Sequence, residues 1–145
     1  MTLAAFIRYL WVSPASVVGL AGAAAAFACG ARARCIDGVL EVGGGRLRTL
    51  LRRVPVIGRF EAITLGHIVI GLDEAALERS RAHERVHVAQ YERWGVLFFA
   101  AYLGSSLIAF VQGRDPYHDN RFEREACSRA AAAAHSSAAP VRRGA

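Results

Sequence analysis

The chain has 145 residues, which is long enough for one compact domain and too short for two ordinary ones. Hydrophobic residues make up 54% of it, above the average for soluble domains, which indicates that part of the chain meets lipid. The formal charge of +6 would suit an anionic partner, but all 18 basic residues are Arg, scattered without a dense run or interleaved aromatic side chains. We therefore expect membrane lipid, and no nucleic acid, among its partners.

The first element along the chain is a long apolar segment within residues 1–34. No charged residue occurs between Tyr9 and Cys29, a stretch of about the length that crosses a bilayer core. It fits an uncleaved membrane anchor, a signal peptide cleaved near residues 26–28, or a buried helix. Because the stretch is long for a signal peptide and arginines follow it, we expect an anchor that leaves the rest of the chain in the cytoplasm. Export after signal cleavage is the alternative.

The next segments predict strands around a short helix. Residues 36–42 alternate loosely before three glycines, which predicts a short strand and a turn, and the basic, leucine-rich residues 46–53 predict a short amphipathic helix on a membrane face. Residues 61–72 are rich in β-branched side chains with a period of two and predict the clearest strand. In one continuous strand, His67 would share a face with Ile63, Leu65 and Val69, which favours a core histidine over a metal ligand.

Three helices are predicted in the second half of the chain. Asp73 is a typical N-cap residue and Gly95 a typical C-cap residue, so one helix is expected between them. Residues 96–111 are uncharged and predict an apolar helix at the short limit for a membrane span. A last helix is expected from about Asn120, followed by a disordered tail at 136–145. The predicted class is α+β, with an N-terminal membrane helix, a small antiparallel sheet and these three helices.

The first of these three helices carries a metal-binding motif. Residues 83–87 read H-E-x-x-H, and residues four apart lie on one face of a helix, so the imidazoles of His83 and His87 can bind one Zn²⁺. Glu84 is turned away from that ion and can accept a proton from a water that the metal activates, which is the role of a general base. The motif therefore predicts zinc as the cofactor. The alternative is a pair of half-exposed histidines on an amphipathic helix.

A catalytic zinc needs a third protein ligand and an open coordination position. Glu123 and Glu125 lie in the last predicted helix, which can pack across the helix of the two histidines. The candidates downstream of the motif are His118, Asp119, Glu123, Glu125 and His135.

A glutamate on a later helix, after H-E-x-x-H, resembles the gluzincin class of zinc peptidases. Within that class, residues 123–126, EREA, are similar to the E-x-x-A-D signature of membrane-embedded peptidases of the prenyl-protease and heat-shock type. The resemblance implies Glu123 as the third ligand, Glu125 as second choice, and a peptide or protein substrate. It also implies that the strand at 63–70 is an edge strand beside which an extended substrate lies. The segments HERVHVAQYERWG and DNRFEREA further resemble segments of small bacterial proteins without an assigned function.

The resemblance covers about residues 61–130, and the chain departs from it at one position. Cys127 stands where the signature has Asp, so the carboxylate that orients a ligand histidine is missing there, and Asp119 or Asn120 is a candidate substitute. Such partners typically change metal affinity or activity about ten- to a hundredfold. For a donor to a developing oxyanion, we prefer His118, with Tyr91 and Tyr117 as alternatives.

The apolar segment at 96–111 constrains this hypothesis. If it crossed the membrane once, Glu123 would lie on the opposite side from the two histidines and could not share their metal. We therefore expect this segment to be buried in the domain, or to dip into the bilayer and return.

Taken together, these features predict a membrane-associated zinc metallopeptidase. Residues 35–135 would form its zincin-like metal-binding domain, with Glu84 and His118 catalytic and with His83, His87 and Glu123 as metal ligands. The competing hypothesis is an inactive zinc-binding or protein-interaction module on the same scaffold, which Cys127 favours. A third hypothesis is a small membrane protein in which the motif is accidental.

Overall fold

The fold is that of a computed structural model, which describes residues 2–53 and 60–138. Its class is α+β, as predicted. Residues 139–145 of the predicted tail lie outside the described part of the chain, whereas residues 136–138 still belong to the last helix. The elements in chain order are α1 Leu3–Ala28, β1 Arg32–Ile36, β2 Val39–Gly43, α2 Leu47–Leu51, β3 Ala62–Leu65, β4 Ile68–Gly71, α3 Glu74–Trp94, α4 Leu97–Val111 and α5 Arg121–Ala138.

The four strands form one mixed sheet in the order β1-β2-β4-β3. β1 pairs antiparallel with β2 and β3 antiparallel with β4, but the central pair, β2 and β4, is parallel. The prediction of a purely antiparallel sheet is therefore wrong at its centre. The physical reason is that β3 and β4 are the two arms of a hairpin, which run in opposite directions. The hairpin pairs with β2 through its second arm, and its first arm becomes the edge strand.

The segment 61–72, predicted as one strand, is this hairpin. Gly66 has a φ of 66°, a left-handed conformation that glycine adopts without a steric cost and that reverses the chain. Across the turn, Thr64 pairs with Val69. The prediction that Val69 shares a face with Ile63 and Leu65 is therefore wrong. The turn interrupts the alternation of side chains and places Val69 on the same face as Thr64.

The predicted strand at 36–42 contains a second turn: Ile36 is the last residue of β1, which the sequence did not predict, and β2 begins at Val39. Asp37 and Gly38 have φ values of 47° and 78°, and two successive residues with positive φ are typical of the tight turn that suits a β-hairpin. The Asp-Gly pair is the sequence signal for this turn, and it marks the boundary between the strands better than the three glycines that follow.

His67 lies in the turn between β3 and β4 and is buried, with 6% of its surface exposed. Its ring lies 4.3 Å from that of Tyr9, and its Nε2 atom is 3.2 Å from a carboxylate oxygen of Glu92. The expectation of a core histidine is confirmed, since the side chain is buried between α1, α3 and the hairpin turn.

Helices cover both faces of the sheet. On one face, Val42 and Ile68 pack with Ala23 and Ala26 of α1. On the other, Val39 and Val69 pack with Leu77 and Val88 of α3. The sheet is thus the middle layer of three, and the helix with the H-E-x-x-H motif lies directly against it.

The helix α1 contacts the sheet through a narrow stripe of small residues, Gly19, Ala23 and Ala26, spaced three and four apart. Residues 6–28 are long and apolar enough to cross a membrane, and 22% of the most apolar window is buried against the rest of the chain. A signal sequence near the N-terminus can also meet these criteria of length and composition. The remaining surface of α1 exposes large apolar side chains, among them Phe6, Ile7, Leu10, Val17, Val18 and Leu20.

We expect Gly19→Leu to destabilise the fold by about 1–3 kcal/mol, the usual range for an overpacked core. A Cβ atom at Gly19 would lie 2.7 Å from both the Cβ atom of Ile68 and the carbonyl oxygen of Leu65, so the helix would have to move off the sheet. Thermal unfolding of the full chain in detergent, followed by circular dichroism, measures the change.

The matched control for this substitution is Gly104→Ala in α4, where a Cβ atom would have no atom of residues 2–53 or 60–138 within 4 Å. This change should stabilise the helix by up to about 1 kcal/mol, because alanine loses less backbone entropy than glycine. Equal unfolding temperatures for Gly19→Leu and the wild type would show that α1 is not an integral layer of the domain.

Both predicted caps of α3 are present. The Oδ1 atom of Asp73 accepts a hydrogen bond from the backbone N of Ala76 at 2.8 Å. Gly95 ends the helix with a φ of 57°, and the ring of Trp11 from α1 fills the space that a side chain at Gly95 would need. The chain then bends by 115° into α4.

The helix α5 is fixed to the middle of α4 by Asn120. The side-chain oxygen of Asn120 accepts from the backbone N of Phe122 at 2.9 Å, and its amide nitrogen donates to the carbonyl of Tyr102 and the hydroxyl of Ser106. Val12, Tyr91, Phe98 and Phe122 then form a core cluster in which α1, α3, α4 and α5 meet. These contacts return the chain to α3 after α4, so that Glu123 lies on the same side as the two histidines.

Candidate metal centre

Three side chains from α3 and α5 converge on one point. The Nε2 atoms of His83 and His87 lie 3.0 Å apart, and they are 3.1 and 3.3 Å from the two carboxylate oxygens of Glu123. One ligand atom from each residue lies within 4.8 Å of the other two, so the group can hold a metal ion. The sequence pattern placed the two histidines together, and the packing of α5 on α3 adds the glutamate.

The ring of His87 is held in a defined orientation by Gln90. The amide nitrogen of Gln90 donates to the carbonyl of Phe122 at 3.1 Å and to Glu125 at 3.0 Å. Its amide oxygen therefore faces Nδ1 of His87, at 2.8 Å, and this nitrogen carries the proton. The Nε2 atom is the ring nitrogen that faces the centre of the group, and a metal ion would bind this nitrogen in its deprotonated form.

Glu123 is buried, and Tyr102 of α4 donates a hydrogen bond of 2.6 Å to its Oε1 atom. Its Oε2 atom is buried, lies 3.1 Å from Nε2 of His83, and has no geometrically well-formed hydrogen bond within the described residues. Burial raises the pKa of this carboxyl, but the contacts with His83, His87 and Tyr102 lower it by more, and the net pKa lies well below the usual range. Glu123 is therefore an ionised carboxylate with an unused acceptor atom directed at the two imidazoles, which suits a cation.

Glu84 lies beside this group without joining it. Its side chain is buried and accepts a hydrogen bond of 2.6 Å from the hydroxyl of Thr64 on β3. Burial raises its pKa, and this effect exceeds the lowering by Thr64 and by the two histidines. A raised pKa suits a group that takes and returns protons near neutral pH. The sequence did not identify Thr64 as a residue of the site, because the face of the strand on which it lies could be assigned only once the turn at Gly66 was known.

Cys127, where the sequence differs from the E-x-x-A-D signature, contacts the ring nitrogen of His83 that does not face Glu123. The Sγ atom of Cys127 lies 3.8 Å from Nδ1 of His83. Neither candidate substitute contacts His83: Asp119 accepts from the backbone N of Asp115, and Asn120 is bonded to α4. Among the side chains of the described residues, the thiol of Cys127, a weak acceptor, is thus the group that contacts Nδ1 of His83.

We expect Cys127→Asp to strengthen metal binding about ten- to a hundredfold, the usual effect of a carboxylate that accepts from a ligand imidazole. The matched control is Ser128→Asp, which adds the same charge at the next, exposed position of α5. Competition for the metal against a chromophoric chelator measures both affinities. If the two variants bind equally tightly, the contact between residues 127 and 83 does not orient the ligand.

The structure does not bring every candidate residue to the centre. His118 is exposed over 79% of its side chain, pairs with Asp115, and does not line the cavity described below. Glu125 contacts Gln90 and Arg129, and the imidazole of His135 bonds to the carbonyl of Ala131 within α5. Glu123 is thus the carboxylate that joins the two histidines.

A cavity of about 200 Å³ opens beside the potential ligands. All four residues of β3 line it, and β3 is the edge strand of the sheet that the described residues form, where it pairs with β4 on one side only. Tyr91, whose burial raises its pKa to about 12, and Tyr117 also line it. The apolar lining consists of Phe60, Ala62, Ile63, Leu65, Phe98 and Phe99.

Similarity to known proteins adds nothing to this geometry. Comparisons with protein-family models, with curated proteins and with solved structures found no match.

Proposed function

We propose that this protein is a membrane-associated, zinc-dependent metallopeptidase. The observation that carries the proposal is the convergence of His83, His87 and Glu123 within 4.8 Å, beside the buried carboxylate of Glu84. Two imidazoles and one carboxylate are the donor set of a catalytic zinc with one position open. Magnesium and calcium prefer oxygen ligands, so this donor set favours zinc over them.

Zinc held by these three residues would polarise the peptide carbonyl and lower the pKa of a water molecule. Glu84 accepts the proton of the attacking water and returns it to the leaving amine, which releases two peptides. Thr64 keeps one carboxylate oxygen of Glu84 occupied and so fixes the direction of the other. For the developing oxyanion, the cavity supports Tyr91 or Tyr117 as the donor, because both line the cleft and the exposed His118 does not.

The cleft supports an extended peptide as the substrate. A peptide added along the free edge of β3 would form backbone hydrogen bonds with that strand. One of its side chains would enter the cavity of about 200 Å³, whose lining is mainly apolar and aromatic. We therefore expect an aliphatic or aromatic residue next to the cleaved bond.

We further propose that α1 stays attached as a membrane anchor. Its small residues form one side of a core cluster with Val42 and Ile68, and removal of α1 would expose that face of the sheet. The arginines that follow α1 favour a cytoplasmic location for the metal centre.

A second candidate function is metal binding without hydrolysis. The contact of His83 with the thiol of Cys127, where the resembling enzymes have a carboxylate, favours this alternative. An imidazole without a strong acceptor on its outer nitrogen is a weaker and less well oriented ligand.

The test is hydrolysis by the full chain, purified in detergent and loaded with zinc. Internally quenched peptides with an aromatic, aliphatic or charged residue at the central position serve as substrates. We expect cleavage of the apolar peptides, loss of activity with 1,10-phenanthroline, and recovery when zinc is added back. Stoichiometric zinc without cleavage of any peptide would contradict the peptidase and support the second candidate.

A further inference from the structure

The helix α4 exposes an apolar surface that the described part of the chain leaves uncovered. α4 contains no charged residue, and Phe98 and Ala109 are its buried residues. Seven of its large apolar side chains are each more than half exposed: Leu97, Phe99, Leu103, Leu107, Ile108, Phe110 and Val111. A contiguous exposed apolar surface of several large side chains marks a protein or membrane contact.

The geometry of the chain excludes a single crossing of a bilayer by α4. A helix of 15 residues is about 22 Å long, which is shorter than the roughly 30 Å of a hydrocarbon core. His83 and His87 precede α4 and Glu123 follows it, yet the three meet at one point. Both ends of α4 must therefore lie on the same side of any membrane that it enters.

The apolar surface of α1 continues that of α4. Val12 of α1 packs with Phe98 of α4, and Trp11 covers the bend at Gly95, so the two helices meet at the corner between α3 and α4. Exposed apolar side chains of α1 lie close along the chain to this contact, at Phe6, Ile7 and Leu10. If α1 enters a bilayer, the same lipid lies next to the corner from which α4 departs.

Arginines lie at both ends of the apolar helix. Arg93 precedes α4 and Arg114 follows it, and both are exposed. Guanidinium groups at the ends of an apolar helix pair with lipid phosphates at the membrane interface. This arrangement of charge fits a bilayer better than a second protein with an apolar groove.

We propose that the exposed face of α4 is a bilayer-binding surface, which enters the membrane and leaves it on the same side. Phe99 and Ile63 are both exposed and both line the cavity beside the metal ligands, so the apolar surface reaches the mouth of the cleft. The metal centre then lies at the lipid surface. If the proposed peptidase function holds, its substrates are peptide segments close to the bilayer.

The test is the depth of a spin label at Leu107→Cys in the full chain. The native cysteines are replaced (Cys29→Ala, Cys35→Ser, Cys127→Ser), and the protein is reconstituted in vesicles of phosphatidylcholine and phosphatidylglycerol. We expect the ratio of collision rates with oxygen and with a water-soluble nickel chelate to be several-fold higher at 107 than at the control, Glu78→Cys. Glu78 is exposed on α3, outside the apolar surface.

Two outcomes would overturn the inference. A ratio at 107 equal to that at 78 would place α4 in water. Low access to both reagents, combined with dipolar broadening between labels, would show that a second copy of the chain covers α4. Because the measurement uses neither metal nor substrate, its failure is distinct from a failure of the proposed function. Circular dichroism confirms that each labelled chain is folded.

Discussion

Glu84→Gln is expected to lower kcat/KM for peptide hydrolysis about a hundred- to ten-thousandfold, the usual contribution of a general base. Glutamine has the same shape and its oxygen can still accept from Thr64, so the site should keep its geometry. It cannot accept the proton of the attacking water. The variant should therefore bind zinc as the wild type does and fail to hydrolyse the apolar peptides.

The control for this variant is Glu78→Gln, which removes an exposed carboxylate from the same helix, away from the cleft. Its rate and zinc content should match those of the wild type. If Glu84→Gln keeps full activity, Glu84 is not the general base. If it loses the metal, the buried carboxylate is needed to hold the site together, and the proposed separation of ligand and base is wrong.

Glu123→Ala is expected to reduce zinc affinity by more than the ten- to hundredfold that is typical of outer-shell partners, because it removes a direct ligand. Two imidazoles alone leave half of a tetrahedral coordination sphere without protein donors. Glu123→Gln separates this loss from a loss of packing, since it keeps the shape and an acceptor for Tyr102 while removing the charge. Both variants should fold and bind zinc weakly.

Glu125→Ala is the matched control for the third ligand. Glu125 lies two residues further along α5 and accepts from Gln90 and Arg129. We expect this variant to keep its zinc, with at most the modest loss caused by a freer Gln90. Equal losses in Glu123→Ala and Glu125→Ala would contradict the assignment of Glu123 as the ligand. Titration against a chromophoric chelator, with circular dichroism as a check on folding, distinguishes these results.

Local signals were sufficient to predict the helix that carries the motif. Asp73 and Gly95 act as caps through their own side chain and backbone conformation, so both ends of α3 follow from the residues next to them. The spacing of His83 and His87 is also a local signal, because residues four apart lie on one face of any helix that contains them. None of this depends on the rest of the fold.

The sheet could not be predicted in the same way. Gly66 lies inside an apolar, β-branched run, and nothing in that run distinguishes a turn from an interruption within one strand. A single missed turn changed the topology and the assignment of faces, and it hid the contact of Thr64 with Glu84. The central parallel pair depends on where the hairpin docks, which is a tertiary contact.

The choice among neighbouring candidates also depended on packing. Glu123 and Glu125 differ by two positions on one helix, and only the rotation of α5 against α3 directs one of them to the histidines and the other to Gln90. In the loop before α5, Tyr117 lines the cavity while His118 is exposed. Cys127 could be identified from the sequence as a departure from the signature, but its contact with His83 required the structure.

Metal analysis of the purified full chain beside the His83→Ala/His87→Ala double variant decides whether the zinc site exists. We expect one zinc ion per chain in the wild type and none above background in the double variant, with both proteins folded. A wild type that holds no stoichiometric zinc after zinc loading, or a double variant that holds as much as the wild type, would contradict this expectation.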